Sequence, residues 1–401
     1  MDLKDLLGEV GARPPSSDDP RVIDGLSPSL VLEPKDDETC ARALALCHEE
    51  DMAVVPVGGA TRLELGNVPS RLDAYLKTSR LEGVEDHIPE DLTVAVRAGT
   101  TLEALQQELA RANQFLPLEV PNPSRATIGG ILAIGEPGLR RRPGARARDL
   151  LLGFEAVLAD GTRVKAGGRV VKNVAGYELM KLFVGSSGTL AVLTRAFLRL
   201  RALPEETVTV ARGFRRPLEA ERAWSALREL PHPPEMAALV NPSAADAFGL
   251  EGWTLLARFE GLSEEVRGAV SRAGGERVSS PPWDAIRDFP LGASALVLRG
   301  QVTPARTLHL AESWQDGGPL VAYPDAGIVY SHTRDPDTLA DRQERAAAHG
   351  GVVVLERAPS ELKNDLDVFG ETPGGFELMK KIKDKLDPKG ILSPGRFVGR
   401  I

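Results

Sequence analysis

The spacing of apolar and polar positions predicts regular elements throughout the first two hundred residues. Apolar residues recur at helical spacing at Leu102, Leu105 and Leu109, whereas short apolar runs are typical of buried strands. Two such runs flank Asp160-Gly161, which predicts a β-hairpin. The predicted helices cover 36–51, 101–113 and 177–183, and the predicted strands cover 53–57, 72–78, 92–97, 151–158, 162–166 and 190–200.

Beyond Pro204 the pattern changes, and strand-like runs alternate with amphipathic helical runs. This alternation predicts an α+β domain with a mostly antiparallel sheet and helices on one face. The predicted strands cover 207–213, 236–240, 253–259, 295–299 and 351–355, and the predicted helices cover 218–229, 263–272, 303–314 and 338–349. We expect the four tryptophans of this region to pack its core; they are Trp224, Trp253, Trp283 and Trp314.

The length of 401 residues predicts more than one domain, because a chain this long rarely forms a single core. A last helix is expected over 376–386, with the lysines of 380–385 on a solvated face, and an extended tail follows it. The expected division is an N-terminal segment 1–27, a first domain 28–204, a second domain 205–370, and a C-terminal helix and tail 371–401.

Composition narrows the class of protein. The hydrophobic fraction of 42% and the charged fraction of 26% are those of a soluble globular protein, and the net charge of −8 argues against general nucleic-acid binding. No run of 18 apolar residues and no signal-peptide pattern occur, so we expect a cytoplasmic protein without a transmembrane helix. Arginine outnumbers lysine and there are 30 prolines, which fits a heat-adapted protein.

The only two cysteines, Cys40 and Cys47, lie on one predicted helix. Their seven-residue separation is roughly 10 Å along a helix axis, which is too far for a disulfide. Two thiols also cannot supply an ordinary four-cysteine iron–sulfur site. We therefore interpret them as reduced, structural residues.

Small residues concentrate in loops where a ligand could approach the backbone. The stretch 167–194 holds five glycines, and Gly58-Gly59 follows the predicted strand at 53–57. This first loop is neither a dinucleotide fingerprint nor a P-loop, because it lacks both glycine spacings. Consecutive small residues can form an anion-binding nest that suits a pyrophosphate, or they can form a plain turn.

Three segments together carry a family resemblance: 55–62, 121–130 and 182–190. In this order they resemble the flavin-binding domain of the FAD-linked oxidase family, of the vanillyl-alcohol oxidase or para-cresol methylhydroxylase (PCMH) type. Within that family, segments 171–179, 138–149 and 387–396 resemble the FAD-binding subunits of bacterial glycolate oxidases.

The resemblance implies an α+β fold: a PCMH-type FAD-binding domain of two α+β subdomains, plus a second α+β domain that caps the substrate pocket. It implies that the C-terminal helix and tail return to the FAD domain. Residues 58–62 would hold the pyrophosphate through backbone amides, and residues 121–124 and 127–130 would line the flavin and its ribityl chain. Gly185, Gly188 and Val192 would border the adenine and pyrophosphate side. The implied cofactor-binding residues are Pro56, Gly58, Gly59, Ala60, Thr61, Arg62, Pro121, Ser124, Thr127, Ile128, Gly129, Gly130, Lys172, Gly185, Gly188, Thr189 and Val192.

Two residues of the 167–194 stretch are candidates for a catalytic role. Lys172 could place its ammonium near the flavin and stabilise the reduced ring, or it could be a surface lysine. Tyr177 could act beside it or be a half-buried packing residue. The arginine-rich loop 140–148 could be a solvated segment, a docking face for a partner subunit, or a neutraliser of the FAD phosphates, and Arg148-Asp149 could form a local ion pair.

Departures from the family pattern limit the chemistry. Some relatives tether FAD through a histidine in the first glycine loop, but Ala60 and Thr61 stand there, so FAD should be bound non-covalently. Catalytic hydroxy-acid dehydrogenase subunits carry paired histidines around a metal. The six histidines here show no such pairing, so we expect no metal site; they are His48, His87, His232, His309, His332 and His349.

The resulting hypothesis is an FAD-binding subunit of a glycolate (2-hydroxy acid) oxidase or dehydrogenase complex. A sister FAD-binding catalytic subunit would oxidise a small 2-hydroxy acid, and an iron–sulfur subunit would carry the electrons away. The complex could associate with a membrane through its partners. The alternatives are a stand-alone FAD-dependent oxidase of another hydroxy acid or alcohol, and a non-catalytic FAD-binding scaffold.

Overall fold

A computed structural model describes residues 8, 10–20, 22–135, 138–140, 144–168 and 178–401. Lys172 and Tyr177 lie outside these described residues. Three main sheets organise the rest of the chain, two in its first half and one large sheet in its second half. The α+β fold predicted from the sequence is thereby confirmed.

The first sheet has four strands, and all but its first strand in sheet order run parallel. Helix Asp37–Glu49 packs against it through Cys40, Leu44 and Cys47. The helix begins where predicted, because the Asp36 carboxylate accepts the Thr39 backbone N–H at 2.7 Å. In sheet order the strands are Ala12–Arg13, Leu30–Leu32, Ala74–Lys77 and Val54–Val57.

The second sheet has five antiparallel strands and carries the predicted hairpin. Helices Leu102–Ala110 and Ile128–Ile134 share its apolar core. The sequence pattern missed the second of these helices, because a seven-residue segment with two glycines carries no helical signal. In sheet order the strands are Val84–Ile88, Thr93–Arg97, Val192–Arg199, Leu151–Val157 and Arg163–Gly167, and Gln114–Phe115 pairs with Arg201–Ala202 nearby.

The large sheet has eight strands, all paired antiparallel as predicted. Its strands alternate between two cores, since Leu239 belongs to one core and Ala238 and Val240 belong to the other. The pattern missed three strands, 276–277, 320–323 and 328–333. In sheet order the strands are Glu276–Arg277, Glu206–Phe214, Trp253–Gly261, Met236–Val240, Leu320–Tyr323, Ile328–Thr333, Leu296–Gln301 and Val352–Arg357.

Helices cover both faces of the large sheet, whereas the pattern predicted one. Trp224, Trp253 and Trp314 lie in the core of one face, and Trp283 lies in the core of the opposite face. The helices of the first face are Ala220–Arg228, Ser263–Ala273, Thr307–Ser313 and Thr338–Ala348, and the helices of the opposite face are Pro242–Phe248 and Trp283–Asp288. The other helices are Ala147–Leu150, Met180–Phe183, Ser360–Asp365 and Phe376–Leu386.

Within the described ranges, no helix has both the length and the apolar character needed to cross a membrane.

The C-terminal segment lies against the first sheet. The Val54 N–H donates to the Ile391 carbonyl at 2.7 Å, and the Ser393 N–H donates to the Val54 carbonyl at 2.8 Å. Lys383 is buried, contrary to the expected solvated face. Its ammonium donates to the Thr189 and Leu392 carbonyls, both at 2.8 Å, and to Asp387 at 2.6 Å. Three acceptors satisfy its three N–H groups, which is why this lysine can be buried.

Both cysteines are free and buried in the helix Asp37–Glu49. Burial raises the pKa of the Cys47 thiol to about 12 and raises the pKa of Cys40 further. Because the thiolate is the nucleophile, we expect no reaction of the native protein with a thiol reagent such as DTNB at pH 8. Two thiols should react after denaturation. Rapid modification of native protein would contradict this packing.

Replacing Lys383 with methionine should destabilise the protein by about 3–5 kcal/mol, because Asp387 would remain buried without its cation. Lys380→Met is the matched control on the same helix, where the side chain is half-exposed. Its effect should stay within about 0.5 kcal/mol. Urea unfolding of both variants measures the difference, and equal midpoints would refute the role assigned to Lys383.

Candidate functional site

The glycine-containing loops of the first half converge on one cleft. It encloses about 840 Å³ of space between protein atoms, including its open mouth. This volume is within the range of small-molecule and cofactor sites. The lining residues are Pro56, Val57, Gly58, Gly59, Ala60, Thr61, Arg62, Leu63, Thr78, Val120, Pro121, Ala126, Thr127, Gly129, Gly130, Ile131, Ala133, Ile134, Ser187, Gly188, Ala191, Val192 and Leu193.

The first wall is the loop that leaves strand Val54–Val57. A Cβ on Gly58 would overlap the Thr127 hydroxyl, and a Cβ on Gly59 would overlap the Arg125 carbonyl. Ala60 adopts a left-handed conformation with φ of 58°. Within the described part of the chain, the backbone N–H groups of 58–61 have no hydrogen-bond acceptor. The loop therefore offers several free donors at the cleft surface, as an anion-binding nest requires.

The second wall is the segment that enters helix Ile128–Ile134. Thr127 caps this helix by accepting the Gly130 N–H at 3.3 Å. The Gly129 N–H donates to the Ala98 carbonyl at 2.7 Å, and a Cβ on Gly129 would come within 2.9 Å of the Ala98 methyl group. Glycine is thus needed here because the helix packs tightly against neighbouring backbone, which leaves Ile131 and the residues after it to form an apolar wall.

The third wall is the loop before strand Val192–Arg199. Ser187 and Gly188 are both left-handed, with φ of 54° and 71°. The Ser187 N–H donates to the Ala133 carbonyl at 2.7 Å, so this loop is tied directly to the second wall. On its other side the Thr189 carbonyl accepts a bond from Lys383. The C-terminal helix therefore fixes the position of this wall.

The structure brings together most of the residues that the sequence nominated. Those that line the cleft are Pro56, Gly58, Gly59, Ala60, Thr61, Arg62, Pro121, Thr127, Gly129, Gly130, Gly188 and Val192. Four others lie outside the lining: Ser124 is exposed, Ile128 and Thr189 are buried in the core, and Gly185 lines a neighbouring chamber. Lys172 and Tyr177 fall outside the described residues.

The lining residues that sequence reasoning did not nominate are mostly apolar, and Thr78 is another of them. Val57 lies inside segment 55–62, and Leu63 and Ile131 directly follow segments 55–62 and 121–130, so proximity to a motif was the available signal. Thr78 had no such signal, since it reaches the cleft only because its strand pairs with Val54–Val57.

The neighbouring chamber encloses about 780 Å³ and lies between the cleft and the large sheet. Arg62, Ile134 and Ser187 line both spaces, so the chamber adjoins the cleft. The large sheet contributes Arg299 and Glu356. Burial would raise the pKa of Glu356, but Arg62 and Arg299 outweigh that effect and hold its pKa below the usual range. The other lining residues are Leu65, Gly135, Gly185, Gln301, Val354, Phe369 and Phe397.

Arg140, from the arginine-rich loop 140–148, is not solvated. Its guanidinium donates to both oxygens of Glu260 in the large sheet, at 2.7 and 2.8 Å, and both side chains are buried. It therefore joins the two halves of the protein. Further along the loop, Asp149 pairs with Arg146 at 2.7 Å, and not with its neighbour Arg148.

The chain is similar to proteins of known activity over most of its length. It is 28% identical to D-lactate dehydrogenase of Archaeoglobus fulgidus, over 93% of this chain and 92% of that protein. It is 33% identical to the glycolate oxidase subunit GlcE of Escherichia coli, over 80% of this chain and 85% of that protein.

A solved structure of p-cresol methylhydroxylase with substrate bound has the same fold. The TM-score is 0.72 at 16% sequence identity, over 98% of this chain and 95% of that chain. This identity is low, so the likeness shows the fold alone. It confirms the PCMH-type α+β architecture of the first half.

Replacing Gly59 with alanine should destabilise the protein by about 3 kcal/mol and lower its content of bound flavin, because the new methyl group would displace the Arg125 carbonyl and the cleft wall. Gly213→Ala is the matched control, since a Cβ there meets nothing within 4 Å. The control should change stability by about 1 kcal/mol at most. Thermal unfolding and flavin absorbance of both proteins test this, and full flavin loading of Gly59→Ala would contradict it.

The protein families that this chain matches agree with the cofactor site that the cleft indicates. Residues 28–167 match the family described as the FAD binding domain, and residues 340–397 match the C-terminal domain of FAD linked oxidases. The unpaired amides of 58–61 and the size of the cleft fit an extended cofactor with a pyrophosphate. Among the described residues, no group of three or more His, Cys, Asp or Glu is placed to hold a metal ion. The chain belongs to the family of FAD-linked oxidases, and it is an oxidoreductase whose cofactor is FAD.

Proposed function

We propose that this chain is the FAD-binding subunit of a glycolate-type 2-hydroxy acid dehydrogenase complex and that it passes electrons to an iron–sulfur partner. The observation that carries the proposal is the FAD-fitting cleft itself, in a chain that is similar to GlcE over 85% of that subunit. The similarity to a D-lactate dehydrogenase supports a small 2-hydroxy acid as the substrate class.

Different residues of the cleft would bind different parts of the cofactor. Backbone N–H groups of 58–61 would stabilise the negative charge of the pyrophosphate, and the apolar side chains of Ile131, Ile134 and Val120 would exclude water from the flavin ring. Bound FAD supplies the acceptance of a hydride and the release of its electrons to a partner. Lys172 would stabilise the negative charge that develops on the reduced ring, and Tyr177 is the second candidate for a catalytic role.

Electrons must leave through another protein in this proposal. The whole chain has two cysteines, and both are buried in the helix Asp37–Glu49, away from the cleft. An iron–sulfur cluster needs about four thiolates, so a partner must supply them. A sister flavin subunit completes the complex by oxidising the hydroxy acid.

FAD should be held without a covalent bond. None of the six histidines lines the cleft, and neither do the two cysteines. We therefore expect acid precipitation of the purified protein to release all of its flavin into the supernatant. Yellow colour retained in the washed precipitate would show a covalent bond.

The function is tested on the assembly recovered from the native cells with an affinity tag on this chain. We expect co-purification of a second flavoprotein and an iron-containing subunit, and dye reduction with glycolate or D-lactate. A tagged chain that is isolated alone and reduces oxygen with a hydroxy acid would instead establish a stand-alone oxidase. A complex that holds flavin but oxidises no 2-hydroxy acid would leave the chain as a scaffold.

A further inference from the structure

The chamber beside the FAD cleft carries an unusual set of charges. Among its described lining residues, the ionisable side chains are Arg62, Arg299 and Glu356. Arg62 comes from the first glycine loop, whereas Arg299 and Glu356 come from adjacent strands of the large sheet. The two halves of the protein therefore meet at this cluster, and the cluster forms part of a wall next to the flavin site.

Both oxygens of Glu356 are occupied by arginine. Its Oε1 accepts from Arg299 Nε and its Oε2 accepts from Arg62 Nη2. The Arg299 Nη1 group also donates to Gln301 Oε1 at 2.9 Å. The carboxylate is 1% exposed, against 9% and 13% for the side chains of Arg62 and Arg299. Each of the two arginines that face the chamber thus donates to one oxygen of the same internal carboxylate.

A break in strand register places Glu356 there. Val297 pairs with Arg357, but the next residue, Leu298, pairs with Leu355. Glu356 is therefore the extra residue of a β-bulge, and bulges commonly redirect a side chain next to a functional site. The following residue, Arg357, donates to Glu64 and to the Gly292 carbonyl, which anchors the end of the strand.

Two arginines that converge beside a cofactor cleft are suited to bind a carboxylate, because each guanidinium presents paired N–H donors. In this chain Glu356 supplies that carboxylate from within. The cluster keeps one excess positive charge, but each guanidinium already donates to Glu356, and both oxygens of that carboxylate accept from an arginine. Its buried ion pairs are also costly to build, which argues for a role beyond stability.

We propose that Glu356 is a built-in carboxylate that occupies the Arg62–Arg299 pair and keeps free hydroxy-acid anions from binding in this chain's chamber. The inference rests on the proposed function, in which a sister subunit oxidises the hydroxy acid. Glu356 is then a specificity-determining residue, because the carboxylate that the two arginines bind belongs to the protein and not to a substrate.

The test uses the FAD-loaded chain with Glu356→Gln. The amide keeps the size of the side chain but presents one N–H₂ group to the arginines, so an external anion becomes the better partner. Calorimetry should show glycolate and oxalate binding roughly 10- to 100-fold more tightly than to the wild type. The same titration should perturb the flavin absorbance, and neutral glycolamide should show no gain.

A matched control removes the same charge from a similar cluster elsewhere. Glu260 is also buried between two arginines, Arg140 and Arg258, but it lines neither the cleft nor the chamber. Glu260→Gln should give no gain in anion binding. The double variant Glu356→Gln/Arg299→Gln should lose the gain, because one of the two arginines is then absent. If Glu356→Gln folds poorly, Glu356→Ala removes the same carboxylate and should show the same gain.

Two results would overturn the inference. One is wild-type protein that binds glycolate in the chamber as tightly as Glu356→Gln does, and the other is an equal gain in Glu260→Gln. Failure of the proposed function is separate, since it is measured as hydroxy-acid oxidation by the native complex. A complex that oxidises glycolate while Glu356→Gln gains nothing would refute only the inference. An inactive complex with a clear gain in the variant would refute only the proposed function.

Discussion

The loops of the cofactor cleft depend on two cationic side chains of the last thirty residues, which donate hydrogen bonds to the backbone carbonyls of these loops. The Lys383 ammonium joins the Thr189 carbonyl of the third loop to the tail at Leu392. Arg396 donates to the Leu63 and Leu65 carbonyls, at 2.7 and 2.5 Å, directly after the first loop. Loops with left-handed residues and unpaired amides are costly to order on their own, so their carbonyls need such partners. The C-terminal segment therefore belongs physically to the FAD site, although it is distant in sequence.

Two buried arginine–glutamate clusters join the flavin half to the large sheet. Glu260 lies between Arg140 and Arg258, and Glu356 lies between Arg62 and Arg299. Each carboxylate belongs to the sheet, and in each cluster one arginine crosses from the flavin half. Ion pairs of this kind give less stability than apolar contacts of similar size but require a defined geometry. They suit an interface that has to hold a chamber at a fixed position beside the cofactor.

Glycine has a different role in this cleft from the one that a cofactor motif suggests. In such a motif, glycine is expected to let a ligand approach the backbone closely. At Gly58 and Gly59 a Cβ would collide with Thr127 and Arg125, so these glycines allow one wall to pack against another. Close backbone packing then leaves the loop amides without internal acceptors. The glycines of the motif are thus needed for the packing of one wall against another as much as for the approach of the ligand.

The sequence by itself determined the local elements and the cofactor family. The Asp36 cap, the strand Met236–Val240 and the helix Phe376–Leu386 follow from patterns within a few residues, and three motifs sufficed to indicate FAD. Only the tertiary structure decided which charged residues are buried. Lys383, Arg140 and Glu356 look like solvated residues in the sequence, because a side chain's partners can lie hundreds of positions away. Burial depends on those distant partners, and no local pattern records them.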